Sequence, residues 1–380
     1  MIAMHILIAP NAFKNSLAAA DAAEAIRVGL QQSNLTCTTH CFPVGDGGDG
    51  TGELILQHCK GIAVPANVHD PLNRLISSSF GLINKGKTAV IEMADASGLR
   101  LLQTNERDPL HASSYGTGEL MLQALDKEAN KIILCIGGSA TVDGAVGMLR
   151  ALGFRFLNKN GEELDNLPES LTKLASIDNG TIDKRIMRCE LVILCDVENR
   201  LLGKEGAATI FGPQKGASPA DVKKLEASLS TLKDIVLKQT GKDISIIKHG
   251  GAAGGVAAGL AALLNAQLVN GIDYFLSLTG FDKALEKADM VITGEGSIDM
   301  QTLQGKGPFG VAKRAKQKGI PVIGLAGKLP LEISTDLHEY FNVLLPINHE
   351  LADIAKALKD TCANLTRTAQ ALGNTLALGK

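Results

Sequence analysis

Residues 41–54, CFPVGDGGDGTGEL, pass from an apolar run through a glycine-rich loop into a helical pattern. Three glycines in this segment match the G-x-G-x-x-G spacing of dinucleotide-binding turns: Gly45, Gly47 and Gly50. Asp46 and Asp49 stand in the same loop, and two carboxylates repel an unscreened pyrophosphate but suit Mg²⁺, which takes oxygen ligands and bridges phosphates. We therefore interpret the loop as a strand-to-helix turn that binds metal or a polar substrate, with a solvated turn as the alternative.

Strand and helix patterns alternate on both sides of this loop. Apolar runs that predict strands occupy residues 5–10, 36–44, 88–93, 131–136, 191–195, 290–293, 321–325 and 343–345. Helical patterns occupy residues 17–30, with Ser16 as the expected N-cap, and 51–59, 117–125, 142–152, 221–239, 254–264, 309–318 and 351–372. Because the strand runs are apolar without alternation, we expect parallel strands covered on both faces, and the fold class is α/β.

The length of the chain predicts two domains, since 380 residues exceed what one hydrophobic core usually organises. Extended residues 76–83 and the polar stretch 159–184 interrupt the regular alternation. We expect a discontinuous Rossmann-like domain with a parallel sheet, residues 1–70 plus 283–380, and an inserted second α/β domain, residues 71–282.

Composition argues against several classes of partner. The net charge is −2, and no basic stretch is interleaved with aromatic residues, so nucleic acid is not an expected partner. The seven cysteines are odd in number and lack C-x-x-C spacing, which favours free thiols in a reducing compartment; a zinc site at Cys37 and Cys41 is a weaker alternative. No signal-peptide pattern or long apolar stretch occurs, so we expect a soluble, cytoplasmic protein without a membrane partner.

Acidic residues follow four of the predicted strands: Asp46, Asp95, Asp196 and Glu295. Ligands of open α/β sheets gather outside the carboxyl ends of the strands, so these acids are candidate site residues, with Asp95 the weakest. A single acid at such a position is often only a cap. The loop that begins at residue 294 adds Asp299 and Gln301, which suit hydroxyl recognition or metal binding.

Two further glycine clusters leave two interpretations open. Residues 135–147, CIGGSATVDGAVG, present backbone amides and the hydroxyls of Ser139 and Thr141 at a helix start, as an anion cradle does, but a tight turn capped by Thr141 or Asp143 explains them too. Residues 250–260 could approach a nucleotide or let two helices pack closely.

Three lysines stand beside glycine or proline turns, where they could neutralise phosphate: Lys14, Lys215 and Lys306. The chain has no G-x-x-x-x-G-K-[ST], H-E-x-x-H or G-x-S-x-G motif. Amides, lysines and carboxylates without a covalent nucleophile are the groups that direct phosphoryl transfer uses. The residue types alone do not identify the acceptor.

Seven segments, in this order along nearly the whole chain, strongly resemble the bacterial glycerate kinase family: NAFKNSL, GDGGDGT, IGGSATVDG, CDVEN, FGPQKGA, GAAGG, and ITGEGSID with the nearby QTLQGK. The resemblance implies ATP-dependent phosphorylation of D-glycerate with Mg²⁺, in a two-domain protein with an active-site cleft between the domains. The family's first motif usually reads D-S-F-K-G-S-L, so Asn11, Ala12 and Asn15 differ. The family usually has Glu at position 49 and Arg at position 297, where this chain has Asp49 and Ser297.

From this resemblance we expect 2-phospho-D-glycerate as the product, with 3-phospho-D-glycerate as the alternative. ATP is expected at Gly137, Gly138, Ser139, Thr141, Gly251, Gly254 and Gly255. Glycerate is expected near Lys14, Ser16, Asp46, Glu295, Asp299 and Gln301. Mg²⁺ is expected at Asp46 and Asp49, with Lys14, Lys215 and Lys306 as catalytic cations and Asp196 as the proton acceptor.

Two other functions remain open from the residues alone. One is a non-catalytic protein that binds a hydroxy acid or a nucleotide. Such a protein would need groups that bind its ligand, but it would need no proton acceptor. An NAD-linked dehydrogenase is supported only by the spacing of Gly45, Gly47 and Gly50. For the assembly, the sequence leaves a homodimer as an open expectation.

Overall fold

The computed structural model describes residues 4–348 and 353–379. The strands of these residues are β1 Met4–Ile8, β2 Cys37–Cys41, β3 Ile62–His69, β4 Leu75–Ile83, β5 Thr88–Glu92, β6 Lys131–Cys135, β7 Arg155–Leu157, β8 Ser176–Asp178, β9 Glu190–Cys195, β10 Gln267–Asn270, β11 Met290–Ser297, β12 Val322–Lys328 and β13 Val343–Pro346. The α-helices are α1 Ala19–Gln31, α2 Thr51–Cys59, α3 Ala94–Ser97, α4 Tyr115–Asp126, α5 Val146–Ala151, α6 Ala207–Phe211, α7 Pro219–Thr240, α8 Ala252–Leu264, α9 Gly271–Thr279, α10 Phe281–Leu285, α11 Gly307–Gln317, α12 Thr335–Tyr340, α13 Ile354–Lys359 and α14 Thr361–Leu378.

The chain divides into two compact units. Unit 1 comprises Met1–Asp46 and Gly271–Lys380, and unit 2 is the continuous segment Gly47–Asn270. These boundaries differ from the predicted ones, which follow residues 70 and 282. Strand β3 explains the first difference, because it pairs antiparallel with β4 and so joins residues 62–69 to the sheet of unit 2.

Unit 1 contains a five-stranded parallel sheet in the order β13-β12-β11-β1-β2. From β1 the chain moves to the edge strand β2, whereas from β11 it moves in the opposite direction to β12 and β13. The strand order therefore reverses between β1 and β11. In open parallel sheets, such a reversal leaves a crevice at the carboxyl ends of the strands where ligands bind. Residues after β1 and at the end of β11 are thus the first candidates for a site.

Unit 2 contains a six-stranded mixed sheet in the order β10-β9-β6-β5-β4-β3. Strands β5, β6, β9 and β10 are parallel to one another. Strand β4 pairs antiparallel with both of its neighbours, β3 and β5. The apolar runs at 88–93, 131–136 and 191–195 form strands, as predicted, and these are β5, β6 and β9 of the sheet. Alternate side chains of the three runs lie in the main core of this unit, and the apolar side chains between them are buried as well. Strands β7 and β8 form a separate antiparallel pair.

Three local predictions differ from the structure. Helix α1 begins at Ala19 with Ala18 at the N-cap, so the predicted cap at Ser16 is wrong; the Ser16 hydroxyl donates to the carbonyl of Leu358 at 2.5 Å instead. Helix α5 begins four residues later than predicted, because Gly144 and Ala145 have φ of 62° and 71°. Of the helix predicted at 351–372, residues 351 and 352 lie outside the described residues, and the rest forms α13 and α14.

Within residues 4–348 and 353–379, no helix combines the length and the apolar character that crossing a membrane requires.

Candidate active site

The predicted site residues fall in both units. Unit 1 holds Lys14, Ser16, Asp46, Glu295, Asp299, Gln301 and Lys306. Unit 2 holds Asp49, Gly137, Gly138, Ser139, Thr141, Asp196, Lys215, Gly251, Gly254 and Gly255. The boundary between Asp46 and Gly47 therefore assigns the two acids of the loop that were predicted as metal ligands to different units.

The loops that follow β1 and β11 in unit 1 are packed together at the reversal of strand order. The backbone N–H of Asn11 donates to the carbonyl of Gly294 at 2.8 Å. A Cβ at Gly296 would lie 3.6 Å from the backbone nitrogen of Lys14. These contacts between the two loops bring the backbone of Lys14 near the end of β11, which carries Glu295.

Asp46 lies at the amino end of helix α11. Its Oδ2 accepts hydrogen bonds from Nδ2 of Asn11 at 2.8 Å and from the backbone N–H of Gly307, the first residue of α11, at 3.3 Å. The residue at the N-cap of this helix, Lys306, gives no side-chain cap, so Asp46 supplies a carboxylate that the helix dipole favours. The family's usual Asp in place of Asn11 would set a carboxylate beside Asp46, whereas the amide of Asn11 donates to it.

Glu295 is a buried acid at the end of β11 with 7% exposure. The Thr302 hydroxyl donates to its Oε1 at 2.9 Å, and the same Thr302 oxygen accepts the backbone N–H of Asp299 at 3.1 Å. Burial raises the pKa of Glu295 to about 7, with Lys306 opposing the rise and Asp46 adding to it. A carboxyl group with a pKa near neutrality can accept and release a proton under working conditions.

Asp299 and Gln301 lie in the loop that follows Glu295. Oδ1 of Asp299 accepts the backbone N–H of Gln301 at 2.8 Å, and the Ser297 hydroxyl donates to Oδ2 at 3.3 Å. Asp299 and Gln301 also line a pocket of about 290 Å³ together with Leu337. Ser297, which replaces the family's usual Arg, therefore orients an acid by a neutral hydrogen bond where a guanidinium would supply positive charge.

In unit 2, the glycine-rich loop is held by an acid that the sequence analysis did not select. Glu92, the last residue of β5, accepts the backbone N–H groups of Gly50 and Gly52 at the start of α2. Burial raises the pKa of Glu92, and the charge of Asp49 raises it further against the two backbone hydrogen bonds. The strand-end rule that selected Asp95 could have found Glu92, which precedes it by three residues. Asp95 itself is in an ion pair with Arg100.

The turn at residues 137–141 packs against the loop that carries Asp49. The N–H of Gly137 donates to the carbonyl of Gly47 at 3.0 Å. Gly138 has φ of +67°, and a Cβ there would lie 2.0 Å from Oδ1 of Asp49. Only glycine leaves room for this acid, so the structure places Asp49 beside the predicted ATP-binding turn.

The amino end of helix α5 is capped by the protein's own carboxylate. Asp143, which is buried, accepts the backbone N–H groups of Ala145 and Gly147 at 3.1 Å and the N–H and hydroxyl of Ser114 at 3.0 and 2.6 Å. This arrangement supports the cap interpretation of the turn. An anion would therefore have to use the hydroxyls and the nearby lysine rather than these helix amides.

That lysine is Lys215, which is buried behind the same turn with 2% exposure. Its Nζ donates to the Ser139 hydroxyl oxygen at 2.8 Å and to the Thr141 carbonyl at 2.7 Å. Burial lowers the pKa of Lys215 to about 7, against the raising effect of Asp143. Within the described residues the Thr141 hydroxyl, also buried, makes no hydrogen bond. The structure thus unites Ser139, Thr141 and Lys215.

The third glycine cluster packs its backbone against this turn. Ala253, Gly254 and Gly255 have φ of 53°, 71° and 91°, and the carbonyl of Gly254 accepts the N–H of Gly144 at 3.0 Å. A Cβ at Gly254 would lie 2.1 Å from the Thr141 carbonyl oxygen, and one at Gly251 would lie 2.2 Å from the carbonyl oxygen of Arg200. These contacts support the close-packing interpretation of the cluster.

Of the two acids predicted to bind Mg²⁺, Asp49 suits the ion better than Asp46. In the described parts of the chain, no group of three or more His, Cys, Asp and Glu side chains is arranged to hold a metal ion. Mg²⁺ usually needs one or two carboxylates and takes its other ligands from water and phosphate. Asp49 is an exposed carboxylate that suits this, whereas Oδ2 of Asp46 already accepts two N–H groups.

Comparisons with known proteins agree over nearly the full length. The glycerate kinase family matches residues 6–377. Similar proteins include "Glycerate kinase" of Haemophilus influenzae, 42% identical over 98% of this chain and 99% of that protein, and "Glycerate 2-kinase" of Escherichia coli, 40% identical over 99% of each. A crystal structure from Salmonella typhimurium LT2, provisionally named glycerate kinase 2, has a TM-score of 0.82 and 39% identity over 99% of both chains. The chain belongs to the glycerate kinase family and is a kinase.

Proposed function

We propose that the chain transfers the γ-phosphoryl group of ATP to D-glycerate and forms 2-phospho-D-glycerate and ADP. The observation that carries the proposal is the group of acids and lysines at the strand ends of a chain that matches a glycerate 2-kinase along its length. In unit 1, Lys306, Asp46 and Asp299 all lie close enough to Glu295 to act on its charge, at the reversal of strand order. Such a group suits a small hydroxy acid.

Unit 1 is the proposed site of glycerate. Lys14, which is exposed, would pair with the carboxylate of glycerate. The acids at the end of β11 would accept hydrogen bonds from the hydroxyl groups of glycerate. The Lys306 ammonium, placed before helix α11, would offset charge on the phosphoryl group during transfer. Asp46 holds the amino end of α11 and thereby the position of Lys306.

Unit 2 is the proposed site of ATP. Ser139 and Thr141 offer hydroxyls beside Lys215, and Asp196 follows β9 of the same sheet. Asp49 would hold Mg²⁺, and Glu92 holds the loop that carries Asp49. When bound, the ion neutralises charge on the ATP phosphates and so lowers the barrier to direct transfer. The interdomain cleft, the localisation in the cytoplasm and a homodimer stay predictions.

The test is ³¹P NMR of the purified protein with MgATP and D-glycerate, beside a sample without glycerate. A new phosphomonoester coupled to one proton means transfer to C2, which we expect. Coupling to two protons would give the 3-phospho product instead. If ATP is unchanged under conditions where glycerate raises the thermal unfolding midpoint, glycerate is a ligand and not the phosphoryl acceptor.

A further inference from the structure

We propose that Glu295 is the proton acceptor of the phosphoryl transfer, in place of Asp196, and that Thr302 positions it. This inference rests on the proposed function, because it identifies the residue that contacts the acceptor hydroxyl of glycerate. Glu295 stands in β11 at the point where the strand order of unit 1 reverses, among the residues proposed to bind glycerate.

The hydrogen bonds of Thr302 fix which carboxylate oxygen can take the proton. Oγ1 of Thr302 accepts the backbone N–H of Asp299 at 3.1 Å. Its own proton has two acceptors within reach, Oε1 of Glu295 at 2.9 Å and the carbonyl of Ser297 at 3.5 Å, and the shorter bond to Oε1 is the stronger one. Within the described residues, the side chain of Glu295 has no second hydrogen bond. Oε1 is therefore held by a donor, and Oε2 is left to accept a proton from a ligand.

The charges around Glu295 come from three segments. Lys306 precedes α11 and favours the carboxylate form, whereas Asp46 after β2 and Asp299 after β11 favour the protonated form. Lys14, after β1, lies on the neighbouring loop. The acid is 7% exposed and its pKa is raised to about 7, so the carboxylate form is a stronger base than an exposed glutamate.

The chemical step balances without another reactant. The C2 hydroxyl oxygen of glycerate forms a bond to the γ-phosphorus, and the bond from that phosphorus to the β,γ-bridging oxygen breaks. ADP leaves with the electron pair, and the hydroxyl proton moves to Oε2 of Glu295. Release of product then lets the protonated carboxyl group return its proton to water.

Asp196 is less suited to this step for a positional reason. A proton acceptor has to contact the hydroxyl that attacks, and Asp196 belongs to unit 2 with the proposed ATP-binding residues. Asp196 follows β9 directly and is half-buried, whereas Glu295 is buried. Its proposed environment is that of the nucleotide, whereas Glu295 stands among the residues proposed for glycerate.

The experiment compares Glu295→Gln, Glu295→Asp and Asp196→Asn with the wild type. Thr302→Val is added as a positioning variant, and Glu286→Gln, an exposed glutamate of the same unit, is the matched control. Each variant is checked for folding by circular dichroism and thermal unfolding. Steady-state kinetics give kcat and KM for glycerate between pH 5.5 and 9, and calorimetry gives the Kd of glycerate.

We expect Glu295→Gln to lower kcat by about 10²- to 10⁴-fold, with the Kd of glycerate within a few fold of the wild type. The acidic limb of the wild-type kcat/KM profile should disappear in Glu295→Gln and persist in Glu295→Asp. Thr302→Val should lower kcat about tenfold, keep the limb and shift its midpoint. A role in binding alone would raise KM and leave kcat unchanged.

The proposal is overturned if Glu295→Gln turns over within a few fold of the wild type, or if only Asp196→Asn loses the acidic limb. A wild type that makes no phosphoglycerate overturns the proposed function and this step with it. An active wild type with an active Glu295→Gln overturns only the proton acceptor.

Discussion

Lys215 Nζ donates a hydrogen bond to the Ser139 hydroxyl oxygen at 2.8 Å, although the two residues are 76 positions apart in the chain. The lysine comes from the loop after α6, and the serine comes from the turn after β6. A buried ammonium is costly unless it is paired, and here its partners are one hydroxyl and one carbonyl, with Asp143 as the nearby opposite charge. The lysine therefore has an unusually low affinity for its proton.

Unfolding should reveal this property of Lys215. The pKa of the folded lysine is lowered from 10.5 to about 7, so between these values the unfolded chain binds a proton that the folded chain has lost. Stability should therefore rise with pH in this window, by up to about 1.4 kcal/mol per pH unit, for the wild type relative to Lys215→Met. Urea unfolding of both proteins at pH 7.5 and 9 measures the difference. Equal pH dependence in the two proteins would contradict it.

Asp143→Asn should destabilise unit 2 strongly. The carboxylate accepts four hydrogen bonds, two from Ser114, and an amide would turn a donor toward at least one of these donors. Leaving a buried N–H without a partner costs about 1–3 kcal/mol, and loss of the charge adds to this. Urea unfolding against Asp165→Asn, an exposed acid of the same unit, gives the comparison. A loss no larger than that of the control would show that the network tolerates an amide.

The sequence predicts what depends on local pattern. Helix α2 has the predicted bounds 51–59, and the central strands of both sheets lie where apolar runs predict them. The sequence does not reveal that Glu92 holds Gly50 and Gly52, since these residues are 40 or more positions apart and no periodicity records a tertiary hydrogen bond.

In the candidate site, too, some residues can be found from the sequence, whereas others are recognised only from contacts in the folded chain. The strand-end rule selects Glu295, because the end of an apolar strand is visible in the sequence. The cap that Asp46 gives to α11 joins residues 261 positions apart and follows only from the folded chain. The place of residues 62–69 in unit 2 likewise follows only from the folded chain, because it depends on the pairing of β3 with β4.

Glu92→Gln should weaken the use of MgATP. The two carboxylate oxygens of Glu92 each accept a backbone N–H, one from Gly50 and one from Gly52. In the glutamine variant an amide NH₂ replaces one of these oxygens and faces an N–H donor, so one hydrogen bond to the loop that carries Asp49 is lost. We expect kcat/KM for MgATP to fall by about tenfold and the Mg²⁺ concentration for half-maximal rate to rise. Glu53→Gln, an exposed neighbour in the first turn of α2, should retain wild-type kinetics. Wild-type values for Glu92→Gln would show that its hydrogen bonds do not position Asp49.

Two substitutions at Asp46 should separate its hydrogen bonds from its charge. Both donors, Nδ2 of Asn11 and the N–H of Gly307, converge on the single atom Oδ2, so Asp46→Asn can keep both bonds through its carbonyl oxygen. Loss of the charge at the helix end should cost about 0.5 kcal/mol in Asp46→Asn, whereas loss of both hydrogen bonds in Asp46→Ala should cost about 1–2 kcal/mol. Thermal and urea unfolding, with Asp21→Ala in the exposed first turn of α1 as the control, measure both. Equal losses for the two Asp46 variants would mean that charge, rather than the two hydrogen bonds, holds the start of α11.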